Sequence, residues 1–505
     1  MNSCKRSLAL LLTAASLLVS ACHSAVPGGP PVAARAPLAQ GQALADAAGI
    51  ARVARQGSTV AENAHPLIDV IGGRMSGQPS GDLAQEFVRG RLAGYGLEEV
   101  RLERFPLLGW ERGPAALVLQ APEALHGREI SVLSLGHVGA ATVTAPVLDA
   151  GHGTAEELAA LGDRARGRIV LVRVGQPEGY GRSVHRTEKL TLAAAAGAVG
   201  FVMIAPEPGT LVQVGVATLG DEPAPIPAVA ANFETGSWLL RILASAPGPV
   251  VAGLTTGNRM GPAEAANVLG DLRGTSGETV LAGAHLDSWD LGTGALDNGS
   301  GTLVVMEAAR ILSAHVLRTG EQPRRTIRFA LWMGEELGLY GSRFHVAEAL
   351  RRGTLDEYRA VLNLDMVGAP VGFGAMDRPE AAAALRPLIH ELRAAGFALD
   401  TAVATGGGLY SDHQPFLLEG IPILSMQSRL KEGAGRFYHS AGDTRDKIDE
   451  ADLGEAAAAV AGLLWYLATA PDLPLPRWTP AETGRRLERM GLRDPLERGG
   501  EWRWE

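Results

Sequence analysis

Between Gly283 and Gly301 the sequence gathers His285, Asp287, Asp290 and Asp297 into a glycine-rich span directly after the apolar run Thr279-Val-Leu-Ala282. Further on come the adjacent pair Glu335-Glu336, then Asp365 after Ala360-Val-Leu-Asn-Leu364, then His439 in the loop Tyr438-His-Ser-Ala-Gly-Asp443. Imidazole and carboxylate without thiolate is a donor set for zinc, with manganese and cobalt less favoured. Two metals sharing one carboxylate need about five ligands, which is the number of suitable candidates here. Such a pair polarises a carbonyl and lowers the pKa of a water, and a neighbouring carboxylate must then carry the water's proton to the leaving nitrogen. Two adjacent glutamates at a strand end point in different directions and can divide those tasks.

The elements that must position these groups read as alternating strand and helix. Residues 279–282 end a buried strand, so His285 and Asp287 emerge at its carboxyl end, two apart and on the same side of an extended chain. That edge is where α/β enzymes place their chemistry. Glycines around Asp297 let the backbone turn tightly and bring its carboxylate back toward His285. Leu303, Val304, Met306, Ala309 and Ile311 recur at helical spacing. Strands are expected at 326–332, 360–364 and 421–426, and a closing helix at 452–468. The pattern over 258–470 predicts an α/β fold with a mostly parallel sheet flanked by helices. Upstream, a helix is expected near Ala51 and another over 80–92, with Ser80 as cap, Leu83, Phe87, Val88 and Leu92 as apolar stripe, and Gly96 as stop. A strand follows through Val100, Leu102 and Phe105.

Between 122 and 257 the texture changes to short strands and turns, with strands near 167–172 and 199–204 and helices over 189–198 and 235–243. This predicts a smaller, β-rich α/β domain inserted in the main one. His137, His152 and His185 are scattered there and read as structural or surface residues, as do His315, His345 and His390 on predicted helices. The Pro- and Arg-rich tail, 471–505, carries Trp478, Trp502 and Trp504 but no functional signal.

A chain of 505 residues exceeds one ordinary core, so two domains with appended segments are expected. Its 46% hydrophobic and 20% charged residues are too varied for a low-complexity or fibrous protein. The formal charge of −9 argues against a nucleic-acid partner. Lys5 and Arg6 precede an apolar run over 8–19, a pattern that predicts a secretory signal too short for a comfortable membrane span. Val19-Ser-Ala-Cys22 resembles the bacterial lipobox, which implies cleavage before Cys22, lipidation of its thiol and attachment to a cell-envelope membrane, periplasmic or surface-facing. Cleavage would remove Lys5 and Arg6, lowering the charge by two, and would leave Cys22 as the single cysteine. A single cysteine cannot form an internal disulfide, and a lipidated one leaves no catalytic thiol. The expected organisation is therefore a signal at 1–21, a tether at 22–47, the main domain at 48–121 and 258–470, the insert at 122–257, and the tail.

His285-Leu-Asp287, Asp297-Asn-Gly-Ser-Gly301, Trp332-Met-Gly-Glu-Glu336, Asn363-Leu-Asp365 and His439-Ser-Ala-Gly-Asp443 resemble, in order and spacing, the co-catalytic zinc peptidases of family M28. Each motif is short, but five in the family's order are specific. The resemblance covers about residues 50–470, and the insert looks like a protease-associated (PA) domain. His285-Leu-Asp-Ser-Trp-Asp290 followed by Gly292-Thr-Gly-Ala-Leu-Asp297 is most similar to the carboxypeptidase Q branch, associated with hydrolysis of dipeptides and small peptides. The resemblance implies a zinc-exopeptidase (phosphorylase/hydrolase-like) fold and two Zn2+ ions. It makes Asp297 the bridge, His285 and Asp365 the remaining ligands of one ion, and Glu336 and His439 those of the other. It also makes Glu335 the general base and Asp287 the support that orients His285.

Ser411-Asp-His413 resembles a segment bordering the substrate cleft in related aminopeptidases, where a nearby tyrosine helps bind the oxyanion. Here Tyr410 stands directly before the serine, and Tyr410 and His413 are open to substrate-contact and structural readings alike. The branch resemblance also implies a homodimer, and it leaves aminopeptidase, carboxypeptidase and dipeptidase open. Two other functions fit the fold. A non-catalytic surface binding protein commonly lacks ligands, whereas none is missing here, and a one-metal glutaminyl-cyclase-like acyltransferase is disfavoured by the full two-metal set. Gly292-Thr-Gly294 lacks the third glycine of a nucleotide-binding loop.

Overall fold

The computed structural model describes residues 39–505; the signal segment, Cys22 and the tether up to residue 38 lie outside the described residues. Seven strands form the central sheet: β1 (Glu98–Glu111), β2 (Arg259–Leu272), β3 (Thr279–His285), β4 (Thr326–Trp332), β5 (Tyr358–Asn363), β6 (Ala369–Ala375) and β7 (Ile423–Arg429). Their order is β1-β2-β4-β3-β5-β7-β6. The inner four, β4, β3, β5 and β7, are parallel, and β1, β2 and β6 pair antiparallel with their neighbours.

β3 is buried at every position, as an inner strand covered on both faces must be. Val280, Ala282 and Ala284 join one core cluster with the helices Ser300–Thr319 and Glu450–Thr469, whereas Leu281 joins the other with Trp332, Val346 and Phe416. The two-residue alternation of a strand thus divides its side chains between the faces. The tail completes the second face: Trp478, Leu487 and Leu496, from the region of the helices Pro480–Arg489 and Arg493–Arg498, lie in that cluster. From β3 the chain crosses to β4 on one side and then returns to β5 on the other. The carboxyl ends of β3, β4 and β5 therefore meet where the winding reverses, the crevice where open α/β sheets bind ligands.

Two expectations near the amino terminus need correction. The first described helix is Gln40–Ala54, so it begins inside the segment expected to be a tether. Its Ala47 and Ala51 pack against Gly462 of the closing helix, a close approach that small residues permit and that an apparently featureless alanine-rich stretch conceals. The next long helix, Pro79–Gly94, starts with proline in its first turn, so Ser80 lies within it and is not the cap. Its buried stripe is Ala84, Val88 and Leu92, and Leu83 is 61% exposed.

The chain leaves the central sheet after β1 and returns on β2, where Glu111 pairs with Arg259. Between them lies an eight-stranded sheet whose first long strand, Ala115–Ala121, pairs with its last, Val251–Thr256. The strand Ala115–Ala121, expected to precede the insert, belongs to that second sheet. Inside the insert, Ile169–Arg173, Gly200–Ile204 and Ala228–Ala231 form a parallel core. The helices Arg186–Ala195 and Phe233–Ser245 accompany it.

Candidate active site

His285 is the last residue of β3, and its carbonyl accepts a hydrogen bond from Thr302 Oγ1 (2.8 Å). Its Nδ1 lies 3.1 Å from the main-chain oxygen of Asp287 and 3.6 Å from Asp287 Oδ1. The imidazole therefore takes its orientation chiefly from the Asp287 carbonyl. The fully buried Asp287 carboxylate serves another element. Its Oδ2 accepts from Ser76 Oγ (3.1 Å), Gly334 N (3.0 Å) and Glu336 N (3.3 Å), and its Oδ1 from Glu335 N (3.3 Å). It pins the loop after β4 that carries both glutamates.

The turn between Asp287 and Asp297 is held from beneath by Arg74, fully buried, whose guanidinium donates to the carbonyls of Leu286, Thr293 and Gly294. Gly294 has φ +58°, and a Cβ there would collide with Ser288 and Arg74, so the turn requires glycine. Asp443 receives the main-chain N–H of Leu296 on one oxygen (2.7 Å) and that of Asp297 on the other (3.0 Å). Asn298 ties the same turn to the end of β5: its Nδ2 donates to Leu364 O and its Oδ1 accepts from Met366 N.

The outcome is a carboxylate between two imidazoles. Asp297 Oδ1 lies 3.1 Å from His285 Nε2, and Oδ2 lies 3.1 Å from His439 Nε2. His439 Nε2 is also 3.1 Å from Glu336 Oε2, and His285 Nε2 is 3.5 Å from Asp365 Oδ1. Ser411 Oγ donates to Asp365 Oδ2 (2.6 Å) and accepts from Asn363 Nδ2 (2.8 Å). Donor atoms of His285, Asp297 and Glu336 lie within 4.8 Å of one another, as do those of His285, Glu335 and Asp365. The donor set fits divalent cations. Glu336 Oε1 is buried with no hydrogen-bond partner, an acceptor that a cation would satisfy.

The electrostatics agree with that fit. Burial would lower His285, but Glu335, Asp365 and the hydrogen-bonded Asp287 and Asp297 outweigh it and hold the imidazole well above its ordinary range. For His439 burial is likewise overcome, by Glu336 and Asp297, and the value rises to about 9. Burial acts against the Asp297 carboxylate too, yet hydrogen bonds from both imidazoles keep it ionised well below the usual range. Burial, reinforced by neighbouring carboxylates, pushes Glu335 well above the usual carboxylate range and Glu336 upward. The carboxylates gathered around the two imidazoles are what raises them, an excess of negative charge that a divalent cation would offset.

The site opens into a cleft of about 350 Å³. Tyr410 and Ser411 line it, whereas His413 does not: its Nε2 pairs with Gly408 O at 2.9 Å and it is buried behind the loop. The cleft also takes side chains from the insert, among them His185, Arg186 and Leu219. His185 was expected to be structural or on the surface. It caps the helix Arg186–Ala195 and stacks on Tyr410, with ring centroids 4.1 Å apart. The insert further holds His439, since Val214 O lies 3.2 Å from His439 Nδ1 and Val214 N donates to His439 O (3.0 Å). Asp290 forms a bidentate pair with Arg112, between β1 and the insert, and Trp289 packs between Trp110 and His439. No local pattern marks Arg74, Val214 or Arg186, because each acts across more than 200 residues of sequence or through main-chain atoms.

Residues 267–464 match Peptidase family M28, and residues 141–239 match the PA domain. Carboxypeptidase Q of Mus musculus is 29% identical over 422 residues, 81% of this chain and 86% of that one. The protein named "Probable lipoprotein aminopeptidase LpqL" of Mycobacterium tuberculosis is 33% identical over 273 residues, 47% of this chain and 52% of that one. The crystal structure of a peptidase M28 precursor from Shewanella amazonensis superposes with a TM-score of 0.72 at 23% identity, covering 88% of this chain and 100% of that one.

Proposed function

Because the segment 267–464 belongs to peptidase family M28 and the insert is a PA domain, we propose that this metallo-exopeptidase cleaves dipeptides and other small unblocked peptides with two zinc ions and Glu335 as general base. The observation that carries the reading is Asp297, whose two oxygens face different imidazoles at 3.1 Å each. His285, Asp365 and one oxygen of Asp297 would hold one ion, and His439, Glu336 and the other oxygen the second. When bound, such a pair polarises the scissile carbonyl and lowers the pKa of the attacking water.

The remaining work falls to protein groups. Glu335 would take the water's proton on its carboxylate and return it to the leaving nitrogen. Asp287 fixes the main chain of that glutamate, Asp443 fixes that of Asp297, and Ser411 fixes Asp365. The relative named carboxypeptidase Q supports action at a peptide's end. The lipobox-like Val19-Ser-Ala-Cys22, together with a relative named as a lipoprotein, supports an exported, lipid-anchored enzyme.

The test is metal analysis and hydrolysis of a dipeptide panel by the purified protein. About two zinc ions per chain and loss of hydrolysis on chelation are expected. Glu335→Gln should keep its zinc while kcat falls by roughly 10²–10⁴. Normal turnover in that variant would overturn the assignment of the base, and a single bound zinc would overturn the two-metal site.

A further inference from the structure

The carboxyl-terminal tail carries no motif, yet both members of the His185–Tyr410 stack are tied to it. Tyr410 has φ +71°, a backbone region that residues other than glycine seldom enter. Such a conformation persists only where its surroundings hold it. Here the Tyr410 N–H donates to Gln414 Oε1 (2.8 Å), and Gln414, 1% exposed, donates from Nε2 to Glu501 Oε1 (2.9 Å). Glu501 in turn receives Arg343 as a fork, Nη2 on Oε1 and Nη1 on Oε2, each at 3.0 Å. Arg343 belongs to the helix Tyr340–Arg352 of the peptidase domain, so the Glu501 carboxylate is fixed in both position and plane.

His185 is tied from the other side. It caps the helix Arg186–Ala195, and Glu188 in the first turn of that helix lies 3.2 Å from Arg498 of the tail. Arg182, just before the cap, pairs with Glu188 (2.7 Å) and with Asp494 of the tail (2.5 Å). Asp494 and Arg498 lie on one short helix, Arg493–Arg498, and the main chain turns back on it, with Glu501 N donating to Leu496 O (2.8 Å). Leu496 is buried in the second face of the core, which anchors the whole turn. Behind the stack a cavity of about 380 Å³ opens between the insert and the tail, and Tyr410 and Gln414 line it. Packing does not wedge the phenol ring from that side, so its position rests on these polar ties.

We propose that the carboxyl-terminal tail is part of the substrate-binding machinery, with Glu501 as the positioning residue for Tyr410, through Gln414, and Arg498 as that for His185, through Glu188. The inference rests on the exopeptidase reading and goes beyond it, because it gives a role in peptide affinity to a segment that supplies no ligand and no base. Tyr410 and His185 line the cleft, whereas Gln414, Glu501, Glu188 and Arg498 do not. The tail therefore acts on how the peptide is held and leaves the proton transfers to the residues around the metals.

Hydrolysis of alanyl-leucine, with zinc analysis on the same samples, compares the wild type with Glu501→Ala, Glu501→Gln, Gln414→Met and the double variant Glu501→Ala/Gln414→Met. Glu501→Ala leaves the Gln414 amide without its acceptor and should raise KM about 5- to 30-fold, with kcat within about threefold and zinc at the wild-type level. Glu501→Gln keeps an acceptor oxygen for Gln414 and should recover most of that factor. Gln414→Met should raise KM by a similar factor, and the double variant by no more than the larger single effect, because the two residues act as one chain. A wild-type KM in Glu501→Ala, whatever its thermal stability, would overturn the inference and leave the tail a purely structural element. Multiplied effects in the double variant would overturn it too, as would a loss carried by kcat alone. Should Glu501→Ala not fold, Arg498→Gln at a partly exposed position carries the test. It should raise KM by about two- to fivefold, less because Arg182 still holds Glu188, and an unchanged KM would equally count against the tail. No cleavage of alanyl-leucine by the zinc-replete wild type would instead strike the exopeptidase reading itself, and this inference with it.

Discussion

Asp287→Asn separates two roles for a residue that the sequence ties to its neighbouring histidine. If Asp287 acted mainly by orienting His285, an amide in its place could still face Nδ1, 3.6 Å away. The structure gives the carboxylate a different burden: four donors converge on it, three of them the main-chain amides of Gly334, Glu335 and Glu336. An asparagine has one acceptor oxygen. Placed at the Oδ2 position it keeps Ser76, Gly334 and Glu336, while its NH2 turns against the N–H of Glu335 and leaves that donor orphaned. A buried orphan costs about 1–3 kcal/mol. If that cost is relieved by movement of Glu335, and each 1.36 kcal/mol is tenfold in rate, kcat should fall by about 10- to 100-fold. The ligands themselves are untouched, so zinc content should stay near wild type. Asp287→Ala, which removes both acceptor oxygens and leaves all four donors without them, should lower stability by a further ~2 kcal/mol or more and release metal. Steady-state kinetics on a dipeptide, with metal analysis on the same samples, reads both effects. A kcat within about threefold of wild type in Asp287→Asn would refute the reasoning, because the loop would then hold its glutamates without the second acceptor.

Zinc binding to the metal-free protein should tighten as pH rises. His285 is held well above its ordinary range and His439 near 9, so each keeps a proton at neutral pH that must leave before its nitrogen can ligate. The affinity should still be rising as pH approaches about 9, where His439 loses its proton, with proton release visible as a buffer-dependent heat in calorimetry; a flat profile from pH 6 to 9 would contradict the assignment. Tyr410→Phe keeps the ring that stacks on His185. It should hold kcat within about threefold, since oxyanion donors cost far more when removed, and a drop of about 100-fold would assign the phenol to the transition state. Glu188, buried at the insert, receives Arg182 twice (2.8 and 2.7 Å) and lies 3.2 Å from Arg498 of the tail. Glu188→Ala leaves those arginines without it and should cost about 2 kcal/mol, below the value for a fully buried pair because both arginines are partly exposed. Limited proteolysis of the last helix should accelerate in that variant.

The chemistry-bearing residues were legible because their spacing is local and their positions repeat one rule: each follows an inner parallel strand or its return loop. β3 ends in His285, β4 leads into Glu335-Glu336, and β5 leads into Asp365, all at the edge where the winding reverses. Apolar runs bounded by glycine were enough to place those strands. Legibility failed where a side chain's partner is far away in sequence or is main chain. Asp287 reads as support for a histidine two residues away, yet its carboxylate serves amides nearly fifty residues on. His185 reads as a structural or surface histidine, and only the fold brings it onto Tyr410. The alanine-rich start of the chain reads as a tether because alanine carries no period of its own, and the glycine that admits it, Gly462, lies more than 400 residues later.

The same distinction divides the site in two. Around His285 and Asp365 every orienting contact comes from the central sheet and its loops: the Asp287 carbonyl, Thr302, Ser411 and Asn363. Around His439 the bond on Nδ1 comes from outside it, from Val214, while Trp289 of the loop after β3 packs on the ring and is itself set against Trp110 of β1. A histidine whose second nitrogen is fixed by a carbonyl is held in one tautomer, with Nε2 free for a ligand role. For His439 that carbonyl belongs to the insert. The PA domain is therefore a structural component of the candidate metal centre as well as a wall of the cleft. A chain that kept all five M28 motifs but lost residues 214–216 would lack the group that turns His439 toward Asp297.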